Sequence, residues 1–255
     1  MWPSTWQAES VGLATPDAAF DPNLPDLLCV HGSGGRGAEF LPLLESLVGA
    51  ANGAGIDLPG HGDTPGPGRE RVEDYVAWLA ERLEQGRRRP VVLGNSLGGA
   101  IALGLALERP ELIGGIVLWG TGARLRVLPK ILEGLAKDFQ PTVAFLAQMA
   151  YAEVTDPQRK ETGRWAMART APAVLLGDYT ACDRFDVMER LGEIDLPCLV
   201  VCGDGDRLTP LKYSQYLTEH IKGARLAVIP GAGHLIHEEQ PSAGAKVLAE
   251  FLATL

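Results

Sequence analysis

Val91-Val92-Leu93-Gly94-Asn95-Ser96-Leu97-Gly98-Gly99 is the stretch whose reading decides the fold. A β-branched run stands in front of it and an alanine- and leucine-rich run behind. The pattern is strand, very tight turn, helix. In such a turn the serine is pushed into a strained backbone conformation, and its flanking positions must be small or collide with the neighbouring strand and helix. The Ser96 hydroxyl then stands above the sheet edge at a helix N-terminus, which favours negative charge. Gly-x-Ser-x-Gly gains its weight here from the strand before it and the helix after it.

The same alternation continues outward in both directions. Leu27-Leu28-Cys29-Val30 reads as a buried strand running into the glycine loop His31-Gly32-Ser33-Gly34-Gly35. Glu39 to Val48 is helical in pattern, and Ala54 to Asp57 is a weak strand followed by the turn-rich Leu58 to Asp63. Val72, Val76, Leu79 and Leu83 recur at helical spacing within Val72 to Gln85. Beyond the serine the spacing predicts a helix over Leu97 to Glu108 and a strand over Ile113 to Trp119. From about Ala123 to about Asp195 the pattern is helix-like with no clear strand. Strand character returns at Cys198 to Cys202, followed by a helix near Leu211 to His220, a strand at Arg225 to Ile229 and a final helix from about Ser242.

Strands alternating with helices imply an α/β fold with a mostly parallel central sheet covered by helices on both faces. The helical stretch is expected to be an inserted cap over the C-terminal strand ends, where ligands bind in open α/β sheets. The expected division is a core of residues 1–122 and 196–255 and a cap of residues 123–195. Residues 1–26, with prolines at Pro3, Pro16, Pro22 and Pro25, are weakly patterned and promise at most a short edge hairpin.

Composition bounds the function. A chain of 255 residues can bury a large core and fits one sizeable domain with an inserted subdomain. The net charge is -9 and the basic residues are scattered, apart from Arg87-Arg88-Arg89, which reads as a solvated loop. An acidic chain is repelled by phosphate backbones, so no nucleic-acid partner is expected. Cys29, Cys198 and Cys202 sit in apolar strand-like runs and, with Cys182, look like small core hydrophobes, not a disulfide framework or a zinc site. Met1 to Trp6 has no basic stretch and no long apolar run follows, so the expectation is no signal peptide, no membrane span and a cytoplasmic location.

A serine hydroxyl is a poor nucleophile at neutral pH and needs a base within reach and a carboxylate to orient that base. Of the five histidines, His234 lies in a glycine loop directly after a predicted strand, which puts it on the sheet edge of Ser96. His31 precedes a glycine-rich turn and is expected to hold that loop by hydrogen bonds. His61 sits in a turn, His220 falls in a predicted helix, and His237 should point away from His234. The loop Gly203-Asp204-Gly205-Asp206 after the Cys198 to Cys202 strand offers two acids, Asp204 and Asp206. Acyl transfer also needs donors for an oxyanion. The N–H of Leu97 is one, and the His31 to Gly35 loop fits as the source of the second. That loop has neither a P-loop ending nor the spacing of a dinucleotide fingerprint.

With these pieces in place, from about Leu27 to the C-terminus the chain resembles the α/β-hydrolase superfamily, as a serine esterase or lipase-like member with a helical lid. The resemblance runs through HGSGG at His31 to Gly35, DLPGHG at Asp57 to Gly62, GNSLGG at Gly94 to Gly99, GDGDRLTP at Gly203 to Pro210 and GAGH at Gly231 to His234. The chain order Ser96, Asp, His234 is the family's order. The family's acid falls three residues after the first glycine of its loop, which selects Asp206, and its oxyanion donors correspond to Ser33 and Leu97. The resemblance implies an acyl-enzyme mechanism on a small or medium carboxylic ester, with no metal and no cofactor. Substrate contacts are expected from Gly32, Gly34, Arg124 and Leu235.

Two other readings share these residues. Carbon–carbon bond hydrolases of vinylogous diketones usually carry proline in the oxyanion loop and tryptophan after the histidine, where this chain has Gly35 and Leu235; lactonases share the triad. A non-enzymatic alternative is a hydrolase-like receptor for a small ligand. The apolar lid residues, among them Leu125, Ile131, Phe145, Leu146 and Met149, suit either a substrate pocket or simple packing of the lid. Asp183, Asp186 and Glu189 read as a solvated acidic face of a lid helix.

Overall fold

The computed structural model describes Trp2 and residues 11–255. Its strands are β1 (Leu13–Ala14), β2 (Asp26–Val30), β3 (Asn52–Ile56), β4 (Val91–Asn95), β5 (Gly115–Trp119), β6 (Cys198–Gly203) and β7 (Arg225–Ile229). Among the described residues they form a seven-stranded sheet in the order β1-β3-β2-β4-β5-β6-β7. All neighbours are parallel except β1, which runs antiparallel to β3. The fold is that of an α/β hydrolase with an inserted helical segment. The edge hairpin expected near the N-terminus is instead this two-residue strand, capping β3 across the sheet. The portion of that expectation falling on residues 1 and 3–10 lies outside the described residues.

The helices between the strands are α1 (Leu41–Glu45), α2 (Val72–Leu83) and α3 (Leu97–Glu108). The inserted segment between β5 and β6 holds α4 (Pro129–Lys137), α5 (Phe139–Ala150), α6 (Pro157–Met167) and α7 (Pro172–Arg184). The chain ends with α8 (Leu211–His220), α9 (Ile236–Glu239) and α10 (Pro241–Leu252). The single helix expected over Glu39 to Val48 is split into a 3-10 turn at Gly37–Phe40 and the short α1. Pro42 stands in the first turn of α1, where its missing N–H is harmless but where it cannot continue a preceding helix.

Side chains alternate across each strand, and the two faces bury separate layers. Leu28, Val30, Val92, Ile116 and Val200 pack under α2 and α3, while Leu27, Cys29, Leu93, Val117 and Val201 pack against α1 and α10. Each such fully buried aliphatic chain contributes roughly 1.5–3 kcal/mol of transfer free energy. The insert has a small cluster of its own, built on Ile131, Leu135, Val143, Leu146 and Leu175. Its C-terminal part, with Ala181, Cys182 and Phe185, joins the layer over α2 and α3, so the insert is rooted in the main core. All four cysteines are free and buried, and burial pushes the Cys198 thiol up to about 12.

The strand order positions the site. From β2 the chain crosses to β3 on one side, then returns to place β4 on the other. At such a switch point the loops leaving two neighbouring strands part and open a crevice at their C-terminal ends. The loop after β2 is His31 to Gly35, and the turn after β4 carries Ser96.

Candidate active site

Ser96 has φ 55 and ψ -115, and among the described residues it is the one non-glycine with a positive φ. The glycines around it show why that strain is sustained. A β-carbon on Gly94 would overlap the Gly98 carbonyl, and one on Gly98 would overlap the carbonyl of Val30 on the neighbouring strand. The turn is therefore as tight as backbone contact allows, and the Ser96 N–H is tied to the Trp119 carbonyl at 3.1 Å. Leu97 is the first residue of α3, so its N–H has no acceptor within the helix.

His234 and Asp206 meet from the loops after β7 and β6. His234 Nδ1 lies 2.8 Å from Asp206 Oδ2. Asp206 Oδ1 accepts the N–H groups of Leu208 and Thr209, both at 2.9 Å, and Oδ2 accepts the Thr209 hydroxyl at 2.8 Å. Burial opposes ionisation of Asp206, but the adjoining His234 ring and these hydrogen bonds outweigh it and hold the carboxyl below its usual range. An ionised Asp206 keeps the proton of His234 on Nδ1 and leaves Nε2 as the basic nitrogen. Asp204, the other acid of the loop, accepts the Gly231 N–H at 2.7 Å and ties the two loops together away from the imidazole.

The glycine loop is braced by His31. His31 Nδ1 donates to the Gly32 carbonyl at 2.8 Å, and Nε2 accepts the Leu58 N–H at 3.0 Å. Burial, reinforced by nearby His61, lowers the His31 pKa to about 3, so the ring is neutral and holds this tautomer. The Gly35 N–H, at 3.1 Å, holds the same Gly32 carbonyl. Because the peptide is planar and trans, the Ser33 N–H points the opposite way from that pinned carbonyl. The loop passes close to the nucleophile turn, since a β-carbon on Gly32 would sit 3.1 Å from Ser96 Cβ.

Ser96 and His234 line one cavity of about 210 Å³ together with Gly32, Ser33 and Leu235. Its other walls are mostly apolar and come from the insert, including Leu125, Ile131, Leu146, Met149 and Met167. Two expected contacts fall outside this lining. The Gly34 N–H is committed to Asp178 at 2.9 Å, and the Arg124 guanidinium pairs with Asp186 at 3.1 Å. Arg126, two residues on, does line the cavity. The acidic trio is solvent-exposed as expected but does not share one helix face: Asp183 accepts the Val127 N–H, Asp186 beyond the helix holds Arg124, and Glu189 lies in a separate 3-10 turn.

The remaining histidines are engaged elsewhere. His220 donates to the Tyr216 carbonyl within α8, and His237 is buried and stacked on Phe40. Three neighbours of the site escaped sequence reasoning. Thr209 buttresses Asp206 and lies 3.2 Å from His234 Nδ1. Asn95 donates its side-chain amide to the carbonyls of Trp119 and His234, both at 3.1 Å, welding the histidine loop to the nucleophile turn. Asp178 is wholly buried and bound to His61. For Asn95 and Asp178 the available signal was a polar residue following an apolar run, since a buried polar group needs partners; Thr209, in the polar loop Gly203 to Pro210, carried none.

Residues 27–247 match the family described as Alpha/beta hydrolase family. The pimeloyl-acyl-carrier-protein methyl ester esterase of Aeromonas hydrophila is 30% identical over 248 residues, covering 89% of this chain and 95% of that protein. The 2-hydroxy-6-oxo-6-phenylhexa-2,4-dienoate hydrolase of Burkholderia cepacia is 33% identical over 177 residues, covering 64% of this chain and 62% of that protein. A solved structure described as a thermophilic esterase superimposes with a TM-score of 0.85 at 35% identity, covering 96% of this chain and 93% of that one. No helix among the described residues is long and apolar enough to cross a membrane.

Proposed function

This chain belongs to the alpha/beta hydrolase family, and from that premise we propose that it is a serine hydrolase cleaving small or medium carboxylic esters. The observation that carries the reading is the strained Ser96 sharing a cavity with His234, whose ring is held by Asp206 at 2.8 Å. In this reading His234 Nε2 takes the proton of Ser96, and the serine oxygen attacks the ester carbonyl carbon. The N–H groups of Ser33 and Leu97 hold the tetrahedral oxyanion. His234 then protonates the leaving alcohol oxygen, which departs and leaves an acyl-enzyme. Water, deprotonated by the same imidazole, attacks the acyl carbon, and the carboxylic acid leaves as Ser96 recovers its proton. Asp206 keeps the tautomer and stabilises the imidazolium. Each step moves a proton or an acyl group among side chains and water, so the chemistry needs no metal or cofactor.

The cavity, about 210 Å³, lies below the ~300–1,000 Å³ usual for drug-sized ligands, which favours short acyl chains. The Aeromonas relative is named for a methyl ester, so methyl esters are the first natural alcohols to try. Gly35 and Leu235, standing where the carbon–carbon bond hydrolases usually carry proline and tryptophan, favour the ester reading over that one. The test is turnover of p-nitrophenyl esters from acetate to decanoate by wild type and Ser96→Ala. The expected result is an optimum at short chains and a loss of at least about 10³-fold in the variant. A folded wild type inert on every ester, or a variant as fast as wild type, would overturn the reading in favour of lactones, vinylogous diketones or a ligand-binding role.

A further inference from the structure

The glycine loop is held from an unexpected direction. Gly34 has φ 71, its N–H donates to Asp178 Oδ2 at 2.9 Å, and its carbonyl accepts the Thr170 hydroxyl at 3.0 Å. A β-carbon on Gly34 would lie 2.6 Å from Leu175 Cδ1 and 3.2 Å from Met167 Cγ. Both side-chain hydrogen bonds to this residue, and the surface it packs on, thus come from the inserted segment.

Asp178 on α7 is itself anchored in the core. Its Oδ1 accepts the Tyr75 hydroxyl of α2 at 2.6 Å, and its Oδ2 lies 3.0 Å from His61 Nε2. His61 Nδ1 lies 3.1 Å from the Pro59 carbonyl, so both ring nitrogens face acceptors and both carry protons. Burial works against that charge, but the bond to Asp178, its negative charge and the Pro59 carbonyl prevail and raise the His61 pKa above its usual value. Tyr75 in turn accepts the Arg69 N–H at 2.9 Å. One buried carboxylate therefore joins α7, α2, the turn after β3 and the glycine loop.

We propose that Asp178, seconded by Thr170, is a positioning residue through which the seated insert aims the oxyanion loop. The peptide unit whose N–H Asp178 holds contains the carbonyl of Ser33, the same residue whose amide serves the oxyanion. The insert thus does more than roof the cavity: withdrawing α7 together with the turn that carries Thr170 releases both ends of Gly34, and the oxyanion hole loses its geometry with the roof. This inference rests on the Ser96 and Ser33 roles given above.

The test compares wild type, Thr170→Val, Thr170→Ser and Asp178→Asn. Kinetics with p-nitrophenyl acetate are combined with hydrogen exchange of the amides at residues 33–35. Thr170→Val keeps the side-chain shape and removes the donor, whereas Thr170→Ser keeps the hydroxyl. The expected result is a kcat lower by about 10–100-fold in Thr170→Val and Asp178→Asn, with KM within about twofold, as for an interaction that matters in the transition state. Exchange at residues 33–35 should rise in both, Thr170→Ser should restore both readouts, and affinity for phenylboronic acid should fall in step with kcat. An unchanged kcat, a change confined to KM, or a loss of rate without faster exchange in the loop would overturn the proposal. If Asp178→Asn fails to fold, the Thr170→Val and Thr170→Ser pair decides. If wild type hydrolyses no ester, the hydrolase reading fails on that observation alone. Exchange then decides the clamp, faster exchange supporting it and unchanged exchange overturning it.

Discussion

The molecule contains two buried aspartate–histidine pairs of nearly the same length, Asp206–His234 at 2.8 Å and Asp178–His61 at 3.0 Å. Each aspartate accepts at least one backbone N–H and one hydroxyl, Thr209 in the first case and Tyr75 in the second. They differ in what the second ring nitrogen meets. His61 spends it on the Pro59 carbonyl, while the ring of His234 borders the cavity that Ser96 also lines. A histidine with acceptors on both sides favours its charged form, with its pKa raised above the usual value, and is suited to joining segments. One anchored through a single nitrogen keeps a lone pair for proton transfer. The pairing itself does not make an acid–base site; the freedom of the far nitrogen does.

The widest separation between the pairs is expected in turnover. Asp206→Asn should lower kcat on p-nitrophenyl acetate by about 10⁴-fold through the wrong tautomer, with the fold intact by circular dichroism. Asp178→Asn should cost far less activity but about 3–5 kcal/mol of stability in urea unfolding, because it leaves the His61 charge buried without its partner. Equal loss of kcat in the two variants would break the distinction.

Titration should separate the pairs by sign. The His61 pKa is raised above its usual 6.5, so its contribution is fully present below pH 6.5 and is lost as pH rises through the raised value. The Asp206 pKa is lowered below its usual 3.8, so its contribution is present above pH 3.8 and is lost as pH falls through the lowered value. Melting temperature against pH should thus fall on both limbs. Asp178→Asn should flatten the alkaline limb and Asp206→Asn the part of the acid limb below pH 3.8. The fall between pH 6.5 and about 3 belongs to His31 and His237, whose rings burial keeps neutral with pKa lowered to about 3. Glu39, raised by burial and by neighbouring Glu238 to about 8, shares the alkaline limb, so Glu39→Gln is the control for its part. The smallest effect is expected from Asp204→Ala, which removes an exposed loop tie and should leave kcat within about twofold.

Much of this architecture can be read one residue at a time. The helices Val72–Leu83 and Leu211–His220 fall where the periodicity puts them, because burying one face imposes a period of 3.6, whereas Leu97–Glu108, buried on all sides over Leu97–Ala106, is marked by its alanine- and leucine-rich run. Gly94 and Gly98 announce the turn because only glycine survives the backbone contacts there. The split of the Glu39 to Val48 helix also has its local trace in Pro42, whereas the seating of the 3-10 turn before it does not, since that rests on Gly37 packing against the backbone of Gly55 on β3.

The sequence by itself determined the alternation of elements, the strained serine, the glycine loop beside it and the short list of acids and bases that could serve it. Local sterics and side-chain periodicity act within a few residues, so they leave a local trace. The tertiary structure supplied the physical reason for the acid that the family resemblance selects: Asp206 faces His234, 28 residues away, while Asp204 ties a loop. It alone brought Asp178 to His61 across 117 residues and to Gly34 across 144. Those meetings are set by strand order and by where α7 docks, and neither depends on the residues flanking the two partners.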